Sequence, residues 1–182
     1  MPLSKKLSIL LVDGYNAIGN WSELQQTRDR ESLDSARRQL IESLINYAAW
    51  QSWETLIIFD AYSREEPGYR EEHTAHLSSY YTDFAQTADS YIEKYCASFS
   101  RKVERFDRRL IVATSDRLQQ QTVRGYGAEL MSARELAIAV RQAQNRRKQT
   151  HRPERASRGR FLFNSLDPKA QQRLTQLRMG RN

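Results

Sequence analysis

The sequence is poor in several residue types, and each shortage removes a class of protein. One cysteine, Cys96, in 182 residues allows neither an internal disulfide nor a cysteine-rich zinc site. His73 and His76 lie three apart in a polar stretch without a third ligand, which reads as solvated side chains rather than a zinc centre. Seven glycines and four prolines are too few for a collagen-like or linker-like chain. No apolar run approaches the ~20 residues that cross a bilayer, so no membrane partner is expected. The opening MPLSKK lacks the apolar stretch of a secretory signal, and a cytoplasmic location is expected. Ser115 has no G-x-S-x-G elbow around it, which disfavours a serine hydrolase. Neither G-x-x-x-x-G-K-S/T nor G-x-G-x-x-G occurs, so a phosphate loop is unsupported.

What is present is an ordinary folding composition, 39% hydrophobic, 28% charged and 10% aromatic, long enough for one domain and a short appendage. The net charge of +7 is unevenly spread. Residues 1–140 carry 17 basic against 20 acidic side chains, net −3, whereas 141–182 carry 12 against 2, net +10. An acidic body with a basic arm suits a polyanionic partner, most often nucleic acid. A solvated tail with no partner gives the same pattern.

Apolar runs and helical spacings alternate along the chain. Lys6–Val12, Thr55–Phe59 and Arg109–Ala113 read as buried strands, Leu77–Thr82 as a weaker one, and Glu129–Met131 as a small one. Leu33, Ala36, Leu40, Leu44 and Ala48 recur at helical spacing over Ser32–Gln51, and a second helix opens at Thr87-Ala88-Asp89 and runs to about Ser100. Cys96 falls on the apolar stripe of that helix and reads as core. Ser132 with Glu135 three residues on is a capping box for a helix towards Asn145. The charged stretch 61–74, with Pro67-Gly68, reads as an exposed loop. Residues 146–160 read as an extended linker, and 169–179 as a last helix after Asp167-Pro168. Alternating strands and helices predict an α/β fold, a mostly parallel central sheet with helices on both faces. Residues 1–145 form the expected folded domain, and 146–182 the basic linker and C-terminal helix.

Three of the strands end beside an aspartate: Asp13, Asp60 and Asp116. In open α/β sheets the functional crevice lies at the carboxyl ends of the strands, so such acids converge there. Asp89 in the first turn of its helix, with Glu93 four residues on, lies at the edge of the buried face. A lone strand-end Asp is more often a turn former or helix cap, and Asp60, before a charged loop, is the one best suited to a structural role. Clustered carboxylates repel and call for a cation among them, and oxygen-only ligands favour Mg²⁺ or Mn²⁺. Such ions support attack on a phosphodiester. Tyr15, Tyr62, Tyr80, Tyr81 and Tyr126 could stack bases, though sheet and core roles are simpler for most.

Leu11-Val12-Asp13-Gly14-Tyr15-Asn16, Phe59-Asp60-Ala61, Thr87-Ala88-Asp89 with Ile92-Glu93, Val112-Ala113-Thr114-Ser115-Asp116 and Ser132-Ala133-Arg134-Glu135-Leu136 resemble, in order and spacing, the YacP-like branch of the NYN-domain ribonucleases, within the PIN-like superfamily. The resemblance spans about residues 7–140. It implies a PIN-like fold, a Mg²⁺- or Mn²⁺-dependent acidic site and endonucleolytic cutting of messenger RNA, with the translating ribosome as a partner. Carried over, Asp13, Asp89 and Asp116 are the catalytic, metal-binding core, Asn16 is the site asparagine, and Glu93 and Asp60 are further metal ligands. Arg146, Arg147, Lys148, Arg152, Arg155, Arg158 and Arg160 are the expected RNA-binding residues, and the chain is expected to act as a monomer. A non-catalytic RNA- or ribosome-binding module is the alternative. A phosphohydrolase with Asp13 as nucleophile fits less well, because Tyr15 stands where that chemistry usually wants a second acid.

Overall fold

The computed structural model describes residues 7–60 and 67–150. The chain divides into two compact units, Met1–Gln144 and Asn145–Asn182; of the second, only 145–150 is described, as the end of a helix. The described residues contain six strands, β1 (Leu7–Asp13), β2 (Glu54–Phe59), β3 (Tyr69–Thr74), β4 (Leu77–Tyr81), β5 (Arg108–Ala113) and β6 (Glu129–Met131). They also contain six α-helices: α1 (Gly14–Asn20), α2 (Ser22–Arg30), α3 (Leu33–Gln51), α4 (Ala88–Ser100), α5 (Arg117–Gly125) and α6 (Ala133–Thr150), with a 3-10 turn at Val103–Phe106. The strands form one sheet in the order β3-β4-β2-β1-β5-β6. All pairings are parallel except β3 with β4.

The central strands are apolar on both faces because helices cover both. Successive side chains of a strand point to opposite faces. Leu10 and Val12 of β1, Ile57 and Phe59 of β2, and Ile111 and Ala113 of β5 therefore join one core with residues of α1, α2, α3 and α6. Ile9, Leu11, Leu56, Ile58, Leu110 and Val112 join the other, with Ala88, Ile92, Cys96 and Phe99 of α4 and Val123 of α5. Three layers result, and the alternation carries Asp13, the last residue of β1, to the α4 side.

The strand order places the crevice. From β1 the chain moves outward through β2 to β4, then returns by α4 to set β5 on the other side of β1. The order reverses at β1, and open α/β sheets bind ligands outside the carboxyl ends of the strands at such a switch. Asp13 closes β1 there, and Asp116 follows β5.

The strands expected at the centre of the sheet, and the helices α3, α4 and α6, are present. Two expectations are corrected, and one stretch without an assignment proves helical. The segment 61–74 contains β3, an edge strand whose exposed YREEHT face has no apolar alternation to betray it and whose charges protect the edge. Residues 14–31, unassigned from sequence, form α1 and α2. Only Leu24 of α2 is buried, so no apolar stripe marks that helix. Residues 146–150, expected in an extended linker, continue α6, consistent with the good helix propensity of Arg, Lys and Gln. The expected helix at 169–179 lies outside the described residues. No helix among the described residues is long and apolar enough to cross a membrane.

Gly14 is the tightest point of the crevice floor. A Cβ there would meet the Phe59 ring at 2.4 Å and the Ile58 carbonyl oxygen at 2.9 Å. Phe59 is fully buried and cannot swing away, so Gly14→Ala is expected to cost about 1–3 kcal/mol through overpacking. Thermal melting checks this; an unchanged midpoint would show that α1 can lift off β2 freely.

Candidate active site at the carboxyl ends of the strands

Asp13 is 8% exposed at the end of β1. One carboxylate oxygen accepts the Asn16 N–H at 3.1 Å, so the residue also caps α1. Its pKa is pushed up to about 6. Burial is the main cause, the bond from Asn16 opposes it, and the charges of Asp89, Asp60 and Asp116 add to it. These Coulomb effects locate all four carboxylates within one field.

Asp116 caps α5. Its Oδ1 accepts the Gln119 N–H at 3.0 Å, while its own N–H donates to Thr114 Oγ1 at 3.1 Å. Asp89 lies in the first turn of α4, behind the capping box of Thr87 and Ser90. Its pKa is raised by desolvation, then by the charges of Asp116 and Asp60. Asp89 and Asp116 are both exposed, in contrast to Asp13.

Two neutral side chains tie these elements together. Asn16 Oδ1 accepts the Ser115 N–H at 2.8 Å, joining the start of α1 to the end of β5. Gln119 is 6% exposed, and its Nε2 donates to Asp89 Oδ1 at 2.5 Å. Its main chain is capped by Asp116 and its side chain holds Asp89, so one residue spaces two of the acids. The sequence reading missed it. The signal was present: Gln119 sits three residues after Asp116, the spacing of a capping box, although here the amide reaches to the neighbouring helix instead.

Asp60 Oδ1 accepts the Ala88 N–H, fastening the start of α4 to the end of β2, and its charge reaches Asp13 and Asp89. Glu93 is exposed one turn further along α4, and its charge acts on Cys96. That thiol, buried and pushed up to about 12 mainly by desolvation, is inert core. Of the basic residues expected to hold RNA, Arg146 is exposed on α6, Arg147 and Lys148 lie on the same helix, and Arg152, Arg155, Arg158 and Arg160 fall outside the described residues.

The donor set suits a hard divalent cation. No ion pair among the described residues involves Asp13, Asp60, Asp89 or Asp116, so among those residues no cationic side chain offsets their mutual repulsion. Gln119 Oε1 is in addition a buried acceptor with no hydrogen-bond partner, and a charge-dense cation relieves both conditions. The acids are not closed into a cage: among the described residues no three His, Cys, Asp or Glu side chains form a ready-made metal cluster.

Gln119→Leu should lower any metal-dependent activity of this crevice about tenfold, the value of one hydrogen bond to a charged group, about 1.5 kcal/mol. Single-turnover kinetics would register it. An unchanged rate would mean that Asp89 needs no fixing from α5.

A mostly parallel sheet with one buried and two exposed carboxylates at its switch point, and no phosphate loop, fits an α/β domain of the PIN-like nuclease class. The chain belongs to the YacP-like NYN domain family, whose pattern it matches over residues 10–179. Members of this family are typically metal-dependent nucleases acting on RNA. The chain is 33% identical over 141 residues to the uncharacterized protein YacP of Bacillus subtilis, covering 77% of this chain and 79% of that one. It is also similar to the crystal structure of Rae1 (YacP) from Bacillus subtilis, with TM-score 0.66, 29% identity and coverage of 94% and 95% of the two chains. A crystal structure of a point mutant of the same Bacillus subtilis protein gives TM-score 0.63, 28% identity and coverage of 93% and 99%.

Proposed function

We propose that this chain is a divalent-metal-dependent endoribonuclease that cuts messenger RNA in association with translating ribosomes, acting as a monomer. The observation that carries the reading is Asp13, nearly buried at the switch point, its carboxyl pushed up to about 6 by desolvation and by three neighbouring acids. A protein keeps such an arrangement, at a cost to its stability, where the charge is used. Family membership supports the RNA substrate; the ribosome partner rests on the resemblance of the motifs alone.

In this reading Asp13, Asp89 and Asp116 would hold Mg²⁺ or Mn²⁺, with Asp60, whose charge also reaches Asp13 and Asp89, and Glu93 as further ligands. A cation held there would supply a water nucleophile and charge stabilisation at phosphorus. The chain's own residues then do the positioning. Gln119 spaces Asp89 from Asp116, Asn16 locks α1 to β5, and Asp60 holds α4 against β2. Residues 1–145 carry this chemistry, and the basic 146–182, with Arg146, Arg147, Lys148, Arg152, Arg155, Arg158 and Arg160, adds affinity for the phosphate backbone.

The exposure of Asp89 and Asp116, with no preformed cage among the described residues, favours a second reading, an RNA- or ribosome-binding module that does not cut. Cleavage of a translated messenger RNA and of the same RNA free, by wild type and Asp89→Asn in Mg²⁺ or Mn²⁺, separates the two. Cuts that vanish in the variant support the nuclease. Intact RNA in every lane, with binding retained, supports the module.

A further inference from the structure

At the opposite end of the sheet, where β5 begins, a pocket of about 300 Å³ lies between the 3-10 turn Val103–Phe106 and the bend that joins α5 to β6. Arg105, Phe106, Arg108, Arg109, Tyr126 and Glu129 line it. Gly127 takes φ +85°, a conformation glycine favours, and this bend sets Tyr126 in the pocket wall. Phe106 is 62% exposed, Tyr126 37% and the adjoining Val103 78%, so two aromatic rings stand in solvent beside an apolar neighbour.

The charge around these rings is positive. Residues 101–109 hold Arg101, Lys102, Arg105, Arg108 and Arg109 against Glu104 and Asp107. Arg109 is engaged by Glu129 and Arg108 by Glu54, but Arg101, Lys102 and Arg105 have no carboxylate partner among the described residues. Arg105 lies 4.7 Å from the Phe106 ring centroid and donates to the Ser100 carbonyl oxygen at 2.7 Å, which holds its guanidinium plane beside the ring. Arg108 keeps a buried Nε–H without an acceptor.

We infer that this pocket binds an unpaired nucleobase of single-stranded RNA, with the neighbouring phosphates on Arg101, Lys102 and Arg105. Exposed rings with a guanidinium beside them stack bases of any sequence, and free cations track the backbone. An acidic peptide would use the cations and leave Phe106 and Tyr126 uncovered; a nucleotide uses both. A six-residue strand spans about 20 Å, so this contact is separate from the acidic crevice and grips RNA away from the cut. The inference rests on the RNA-cutting reading for its substrate class.

The test is fluorescence anisotropy of a labelled, unstructured RNA oligonucleotide with the full chain in EDTA, for wild type, Phe106→Ala, Phe106→Tyr and Tyr126→Ala. A parallel assay follows cutting by wild type in Mg²⁺. Either alanine variant should bind about tenfold more weakly, the value of one stacked base, and Phe106→Tyr should match wild type because it keeps the ring. Wild type that cuts RNA while both alanine variants bind as tightly as it does overturns the pocket and leaves the nuclease standing. Wild type that neither binds nor cuts RNA overturns both.

Discussion

Asp13→Asn is expected to lower the rate of RNA cutting about a thousandfold, the loss of several kcal/mol of transition-state stabilisation when a metal-holding charge is removed. The substitution is isosteric, and its amide oxygen can still accept the Asn16 N–H that Asp13 accepts at 3.1 Å. The cap of α1 therefore survives, and the effect falls on chemistry rather than on folding. Single-turnover cleavage of an end-labelled RNA gives the number. A variant retaining a tenth or more of the wild-type rate would remove Asp13 from the metal site.

The second large effect is on stability, and its sign is opposite to that of most substitutions of buried residues. Asp13 binds its proton more tightly in the folded chain, with a pKa of about 6, than at the ordinary value of 3.8. Between those values the folded state holds more protons than the unfolded one, so stability falls as pH rises. The contribution is fully present below about 3.8 and gone above about 6, a span worth about 3 kcal/mol. Asp89, raised for the same reasons, acts in the same direction. Asp13→Asn removes the penalty, so in EDTA at pH 7 the variant should melt about 6–12 °C above wild type. At pH 4 the two should coincide. Melting curves that differ equally at both pH values would assign the gain to something other than the carboxylate's charge. If, as proposed, the ionised Asp13 holds the cation, Mg²⁺ should raise the wild-type midpoint and leave the variant nearly unmoved.

Both effects follow from features that the sequence displayed unevenly. β1, β2 and β5 were legible because burial on both faces demands continuous apolar runs, and each run stops at or near an acid of the crevice. α6 was legible from its cap, Ser132, whose side chain accepts the Glu135 N–H as expected, and α4 from its apolar stripe; the capping box of Thr87 and Ser90 that starts α4 appears only in the structure. α1 was not, since its seven residues include Gly14, Asn16, Gly19 and Asn20, poor helix formers held by a cap from Asp13 and by packing on Phe59. β3 was hidden because an edge strand needs no buried face. The switch point itself is a property of pairing: only when β5 is seen beside β1, opposite β2, does it follow that Asp13 and Asp116 face the same crevice. Gln119 was overlooked for the same reason, because its partner Asp89 is 30 residues away in sequence.

The most direct test of the account is cutting of one end-labelled RNA by wild type and by Asp89→Asn, each in Mg²⁺ and in EDTA. The account predicts internal fragments from wild type with Mg²⁺ and from no other combination. Fragments of equal yield in EDTA, or from Asp89→Asn with Mg²⁺, would contradict it.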